Sequence, residues 1–394
     1  MAANNLTFEQ SAAFLTDLYE QASGEKANIA VTDTASFVTV AQAVLKTGYD
    51  NVISSISQVL GRTIFSVRPY TAKFKGITVD AQRFGAITRK INFVDSDIEN
   101  DDRLPLTDGA SVDPWVINKP KVLQTNFYGG ETYQKHVTIF KDQLDVAFTS
   151  ADEFGRFIAG VIQNVMDQLE QVREAEARAA LCNFIAGKSV GDSTNVINVL
   201  QAYYDETGVT LTPGTMYADT NFVPFTKWLY SYINGLTQKM AERTTLYHIN
   251  VTGKELHRHT PANRLKAYMS ARAMNSIDSV ALPTIFGADR LKMIDFEPVV
   301  MWQNINDPEK ILANPTYLQA DGTLTSASNT TVANIVGLLF DEDALGMTII
   351  NEWSMETPMN PRGGYSNIFY HFTTKIWNDF SENGIVLVAD TVTP

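Results

Sequence analysis

The 394-residue chain predicts an α+β fold, and three observations predict it. Ser150 and Glu153 form a capping box that opens a helical run of about 35 residues, roughly 50 Å long at 1.5 Å per residue. Strand-like stretches flank that run, ETYQKHVTIF before it and SNIFYHFTTKIW and NGIVLVAD far after it. Between them, residues 188–350 mix helical and strand patterns, as a separate α/β domain would.

In chain order, residues 7–22 read as an amphipathic helix carried by Phe8, Leu15, Leu18, Tyr19 and Ala22. The stretch ANIAVTDTASFVTV reads as extended. Residues 35–60 hold two apolar-periodic segments broken at Gly48. Val52, Ile53, Ile56, Val59 and Leu60 carry the second, and Gly61 ends it. Residues 62–149 change character. TIFSVRPYTAKF, AITRKINFVDSD and ETYQKHVTIF read as strands around a polar span, 95–126, with Pro105, Pro114 and Pro120. So long an excursion with few core-forming residues is expected to pack against something other than its own domain.

The long helix follows, with Phe154, Phe157, Ile158, Val161, Ile162, Val165, Met166, Leu169 and Val172 at helical spacing, then Leu181, Phe184 and Ile185, and a stop at Gly187. In the middle region, helices are expected at 221–242 and 263–276, and strands at LYHINV, RLKMIDF, PVVMW and IVGLLFD. TLTSASNTTVAN reads as a polar surface loop. MTIINEWSM and the C-terminal stretches return to β structure.

Composition narrows the function. Hydrophobic residues are 44%, charged residues 19% and aromatic residues 10%, which fits a folded protein with large buried interfaces. Net charge is −13 with no basic cluster, so a phosphate-gripping nucleic-acid protein is not expected. An acidic surface beside packaged DNA would instead keep the two from sticking. Cys182 is the sole cysteine, which rules out an internal disulfide. MAANNLTFEQ has neither a basic start nor an apolar core, so no signal peptide is expected, and no run of about 18 apolar residues predicts a membrane helix.

Chemical motifs are sparse. DSDIEND (95–101) alternates acids like a calcium loop, but Asn100 and Leu106 stand where the glycine and glutamate belong. Gly187-Lys188-Ser189 resembles the tail of a phosphate loop, yet Cys182 holds the first glycine position and a helix precedes it. His257 and His259 are spaced i, i+2, not the i, i+4 of a helical zinc pair. His136 and His371 fall within strand patterns and read as structural, and Cys182 as a packed apolar residue. No nucleophile elbow or Cys–His pairing is present. Catalytic, metal and cofactor residues are therefore expected to be none.

PMNPRGGYSNIFYHF remains. Asn360, Pro361, Arg362, Gly363 and Gly364 form a sharp turn before Tyr365, with Pro361 fixing φ and the glycines permitting positive φ. The strand after it places Ile368, Tyr370, Phe372 and Ile376 on one face, expected against the long helix. Arg362 reads as a structural arginine tying the turn to a carboxylate or carbonyl, within the subunit or across to a neighbour.

The order of elements resembles the major capsid proteins of tailed phages, the Hong-Kong-97-like fold. It is most similar to those of small short-tailed phages of Gram-positive bacteria. Three stretches carry the resemblance: VISSISQVLGRTIFSVRPYTAKFKG, FGRFIAGVIQNVMDQL and NPRGGYSNIFYHFTTKIW. The last matches an Asn-Pro-Arg-Gly-x-Tyr pattern through Asn360, Pro361, Arg362, Gly363 and Tyr365. The resemblance implies an N-terminal arm with helices (1–65) and an extension loop built as a β-hairpin (66–130). It implies a peripheral-domain strand and spine helix (131–189, the helix at 150–187), an axial domain (190–345) and a return to the peripheral sheet (346–394).

It further implies a major capsid protein that assembles with itself as hexamers and pentamers into an icosahedral shell. Double-stranded DNA would lie inside by proximity, with a scaffolding protein and a portal protein as partners and no membrane. Assembly in the host bacterial cytoplasm and residence in the virion capsid follow. Lys73, Lys75, Arg83 and Arg89 are the extension-loop contact candidates. A Lys–Asn covalent link, found in some members, would need a lysine such as Lys73, Lys75 or Lys90, and no motif marks one. The arm and loop, lacking a core of their own, are expected to be mobile in an isolated subunit. A nanocompartment shell of the same fold and an acidic glycan-active hydrolase are the rival readings.

Overall fold

The computed structural model describes residues 7–26, 31–66, 74, 77, 87–94, 106–113, 115, 117, 119–284 and 296–393. Its axis is helix α5 (Ala151–Gly191), here preceded in chain order by α1 (Phe8–Ser23), α2 (Thr34–Lys46), α3 (Tyr49–Ser66) and α4 (Lys141–Ala147). Of the expected capping box, the Ser150 half forms at the start of α5, while the Glu153 carboxylate pairs with Arg156 at 3.5 Å. Ser150 Oγ accepts the Glu153 backbone N–H at 3.2 Å, and Asp152 and Glu153 complement the positive end of the helix dipole. The helix runs 41 residues, one turn past the expected stop at Gly187. Gly187 marks a close approach, not an end: a Cβ there would lie 2.3 Å from the Phe380 ring.

The two halves of α5 serve different cores. Phe154, Ile158, Val165 and Leu169 pack with Leu15, Leu18, Phe37, Val44, Ile53 and Ile56 of α1–α3. Strands β3 (Glu131–Phe140), β12 (Leu345–Glu356) and β13 (Tyr365–Asn378) form an antiparallel sheet in the order β12-β13-β3, and its inner residues Ile368, Tyr370 and Phe372 close this core. Ile376, expected with them, packs instead against the second core.

That second core joins Ala177, Leu181, Phe184 and Ile185 of α5 to a five-stranded sheet. Its order is β4-β14-β11-β5-β6, from β4 (Val196–Asn198), β5 (Leu265–Ser270), β6 (Phe296–Val299), β11 (Ile335–Asp341) and β14 (Gly384–Val388). The opposite face carries α6 (Val199–Thr207), α7 (Asp219–Ala241) and α8 (Ala271–Thr284), through Leu200, Phe225, Leu229 and Ile233 against Leu339, Ile385 and Leu387. Covered on both faces, β11 and β14 are buried throughout, which is why both read as unbroken apolar runs. Two small ladders complete the molecule: β7 (Ile311–Ala313) with β10 (Thr330–Val332), and β8 (Thr316–Leu318) with β9 (Leu324–Ser326).

Several expectations are corrected. Residues 34–40, expected as extended, are helical because Asp33 caps α2, its Oδ1 accepting the Ser36 N–H at 2.7 Å. Helix α3 continues past Gly61 to Ser66, so TIFS is not a strand. The polar span 95–126 hides strand β2 (Val122–Tyr128). In the expected helix 263–276, residues 265–270 are strand and the helix begins at Ala271. LYHINV is held in irregular backbone around buried His248, whose Nε2 lies 2.9 Å from the Leu256 carbonyl. The polar stretch 323–334 carries two three-residue strands. The C-terminal strand β14 leaves the three-stranded sheet and pairs with β11 and β4, so the return expected at 346–394 is divided between two sheets. The arm is not coreless either, since Leu15, Leu18, Phe37 and Val44 are fully buried within the subunit.

Candidate functional site

The regions expected to make contacts are a hairpin and the turn at 360–364. The hairpin pairs β1 (Ile87–Phe93) with β2 in antiparallel register, from Ile87 opposite Tyr128 to Phe93 opposite Val122. Alternation gives it two faces. Lys90, Asn92, Leu123, Thr125 and Phe127 turn inward and are half-buried. Arg89, Ile91, Phe93, Gln124, Asn126 and Tyr128 turn outward, with Ile91 51%, Phe93 70% and Tyr128 76% exposed. In the connection, Trp115 is 84% and Ile117 79% exposed. Arg89, one of the expected contact candidates, is exposed on this outer face. Lys73, Lys75 and Arg83 lie outside the described residues, as does the acidic run 95–101.

The segment before the hairpin is anchored. Phe74 and Ile77 are buried in the second core, and the Phe74 ring meets Tyr268 edge-on at 5.6 Å between centroids and carries the Arg178 guanidinium at 5.3 Å.

At the hairpin root, Lys90 Nζ lies 2.9 Å from Asp379 Oδ2 and also pairs with Glu382. Glu382 pairs in turn with Arg258 at 3.0 Å. Burial disfavours the Lys90 charge, but Asp379 and Glu382 outweigh it and hold its pKa above the ordinary lysine value. Burial raises Glu382 above the ordinary carboxylate value, with Lys90 and Arg258 opposing. Fully buried Lys188 donates from Nζ to the carbonyls of Glu382 at 2.8 Å, Tyr247 at 3.2 Å and Phe380 at 3.3 Å. Burial pushes its pKa down to about 7, with Asp379 and Glu382 resisting. Lys375, 3% exposed, donates to the Phe127 carbonyl at 2.8 Å, a second tie between hairpin and body. Sequence reasoning missed this junction. Its signal was a polar pair, Asp379 and Glu382, between two strands, and a lysine noticed only as a rejected phosphate-loop residue.

The turn is built from Asn360. Its Oδ1 accepts the N–H groups of Arg362 at 2.9 Å and Gly363 at 3.1 Å, while its carbonyl accepts Gly364 N–H at 2.8 Å. Gly364 sits at φ 61°. The Gly364 carbonyl accepts Lys141 N–H at 2.8 Å, and Asp50 Oδ1 accepts Met359 N–H at 2.7 Å, joining the turn to α4 and α3. Tyr365 packs on Phe140 with ring centroids 6.0 Å apart. Pro361 and Arg362 are exposed, and among the described residues the Arg362 side chain makes no hydrogen bond or ion pair. The carboxylate or carbonyl partner expected for it is not found there.

Nothing here assembles a catalytic centre. Cys182 is buried, its thiol pushed up to about 12 mainly by burial. Among the described residues no group of three or more His, Cys, Asp or Glu side chains could hold a metal. Lys188 lies within α5, and no strand leads into it as a phosphate loop requires.

A long helix between two cores and an extended hairpin with an apolar outer face define the architecture. The fold is shared with the capsid structure of Staphylococcus phage Andhra, at TM-score 0.50 and 10% identity over 83% of this chain and 84% of that chain. It is also shared with the structure of head fiber and inner core protein gp22 of native bacteriophage P68, at 0.52 and 12% identity over 81% and 84%. No curated protein matches the chain. The family model of the Phi29-like phage major capsid protein matches residues 15–388, and the chain belongs to that family. It is a phage coat protein, a structural component and not an enzyme, and the hydrolase reading is set aside.

Proposed function

We propose that copies of this chain assemble as hexamers and pentamers into a closed icosahedral shell around double-stranded DNA. The observation that carries this is the hairpin outer face, where Ile91, Phe93 and Tyr128 stand exposed on a ribbon with a well-fixed root. Exposed apolar side chains gathered on one element mark an interaction surface, and many weak contacts repeated by symmetry close a shell without any single strong one. Gln124 and Asn126 between them supply a polar rim. In this reading 66–130 is the extension loop, 131–189 carries the peripheral strand and spine helix, 190–345 is the axial domain and 1–65 the arm.

The net charge of −13 supports DNA held by enclosure and not by phosphate contacts. Among the described residues no helix is long and apolar enough to cross a membrane. A scaffolding protein and a portal complete the proposal, with assembly in the host bacterial cytoplasm. The match to a phage family favours a virion over a nanocompartment. Co-expression with the phage's scaffolding protein followed by negative-stain microscopy tests it. Closed particles of uniform size are expected, and a soluble monomer under all conditions overturns the proposal.

A further inference from the structure

We propose that the β1–β2 hairpin is a hinged arm locked onto the body by a buried charge latch, Lys90 against Asp379 and Glu382, and that loss of the Glu382 charge releases it. The junction draws charges from separate parts of the chain: Lys90 from β1, Asp379 and Glu382 from the β13–β14 connection, and Arg258 from the segment after α7. Asp379, Glu382 and Lys90 are 3%, 8% and 24% exposed in their side chains. Lys90 and Arg258 balance Asp379 and Glu382, so the site is neutral overall. Lys188, from α5, grips the carbonyls of Phe380 and Glu382 and holds the acidic loop at a fixed height. His248 faces the same loop through Asn383, at 3.1 Å.

Neutralising Glu382 leaves Lys90 and Arg258 facing Asp379 alone, and the excess positive charge sits where water screens it poorly. Lys90 is the one of these cations carried by the two-stranded ribbon, so it is the one that leaves with it. Gly129, at φ 100°, is the joint where β2 turns into β3, and Gly130 beside it packs within 3.1 Å of the Thr374 carbonyl in the positions a Cβ would take. Burial raises the Glu382 pKa, so mild acid neutralises it before exposed carboxylates. The proposal rests on the shell reading in one respect: the released ribbon is the element assigned there to a neighbouring subunit.

Hydrogen exchange on the full-length subunit tests it. In Lys90→Met, amides of 87–93 and 122–128 are expected to exchange faster by about tenfold or more, while those of 384–388 are unchanged. Glu382→Gln should do the same, guarding against a fault peculiar to one variant. Acidifying wild type until Glu382 takes up a proton, with rates corrected for intrinsic exchange, should show the same loss, and Lys90→Met should show no further change. Unaltered hairpin protection in both variants overturns the latch, as does an acid response that persists in Lys90→Met. Microscopy separates the two ideas, because hairpin release without shell formation contradicts the shell and leaves the latch standing.

Discussion

At residue scale, the turn at 360–364 divides its Asn-Pro-Arg-Gly-Gly pattern into two jobs. Asn360 does the folding work, since its side chain satisfies two backbone N–H groups. Asn360→Ala is expected to cost the subunit about 1 kcal/mol, read by denaturant unfolding. Arg362→Ala should leave subunit unfolding within about 0.5 kcal/mol, because the side chain is exposed and unpaired among the described residues. A fall in particle yield with unchanged subunit stability would place Arg362 between subunits. The sequence showed that a sharp turn was needed there. It could not show which side chain held it, because a partner is a fact of tertiary structure.

Lys188 gives the residue scale its pH prediction. Folding lowers its pKa from the ordinary 10.5 to about 7. Between those values the unfolded chain holds a proton that the folded chain lacks. The contribution of Lys188 to stability therefore rises with pH through that window, by up to about 1.4 kcal/mol per unit, and is least favourable below about pH 7. Lys188→Met removes the titration. The stability of wild type relative to Lys188→Met should improve from about pH 7 to 9, and a pH-independent difference would show that the amine stays protonated.

At the scale of elements, the arm behaves as part of the fold. Phe37 is fully buried and meets Phe154 of α5 edge-on, with centroids 5.8 Å apart. Phe37→Ala is expected to cost about 3–5 kcal/mol, measured by unfolding of the isolated subunit. Protease should spare α1–α3 in wild type, against the sequence expectation of a mobile arm. The expectation that the arm lacks a core failed for a physical reason. The apolar stripes of α1–α3 were visible at helical spacing, but their partner, the first half of α5, begins 85 residues after α3 ends. Sequence patterns show that a face is apolar and not what covers it.

Other elements were legible in proportion to how far local rules decided them. The α5 N-cap at Ser150, IVGLLFD and ETYQKHVTIF were each plain, because a cap, a doubly buried strand and an alternating strand leave local signatures. Gly187 misled because glycine marks both helix ends and close approaches, and the Phe380 ring that needs the space comes from the far end of the chain. Leu265–Ser270 was misread because a short apolar run fits helix or strand equally well until its neighbours, β11 and β6, are known.

At the scale of the whole molecule, the account makes the hairpin outer face the surface that a neighbouring subunit covers. The chain's sole cysteine, Cys182, is buried, so a new surface cysteine becomes a clean reporter. Gln124 sits at the centre of that face, opposite Ile91, and is exposed. The direct measurement is the thiol-labelling rate of Gln124→Cys in free subunits and in purified particles. The account predicts rapid labelling of the subunit and protection by about tenfold or more in the particle. Equal rates in both would contradict it, because the hairpin face would then remain open to solvent in the assembled shell.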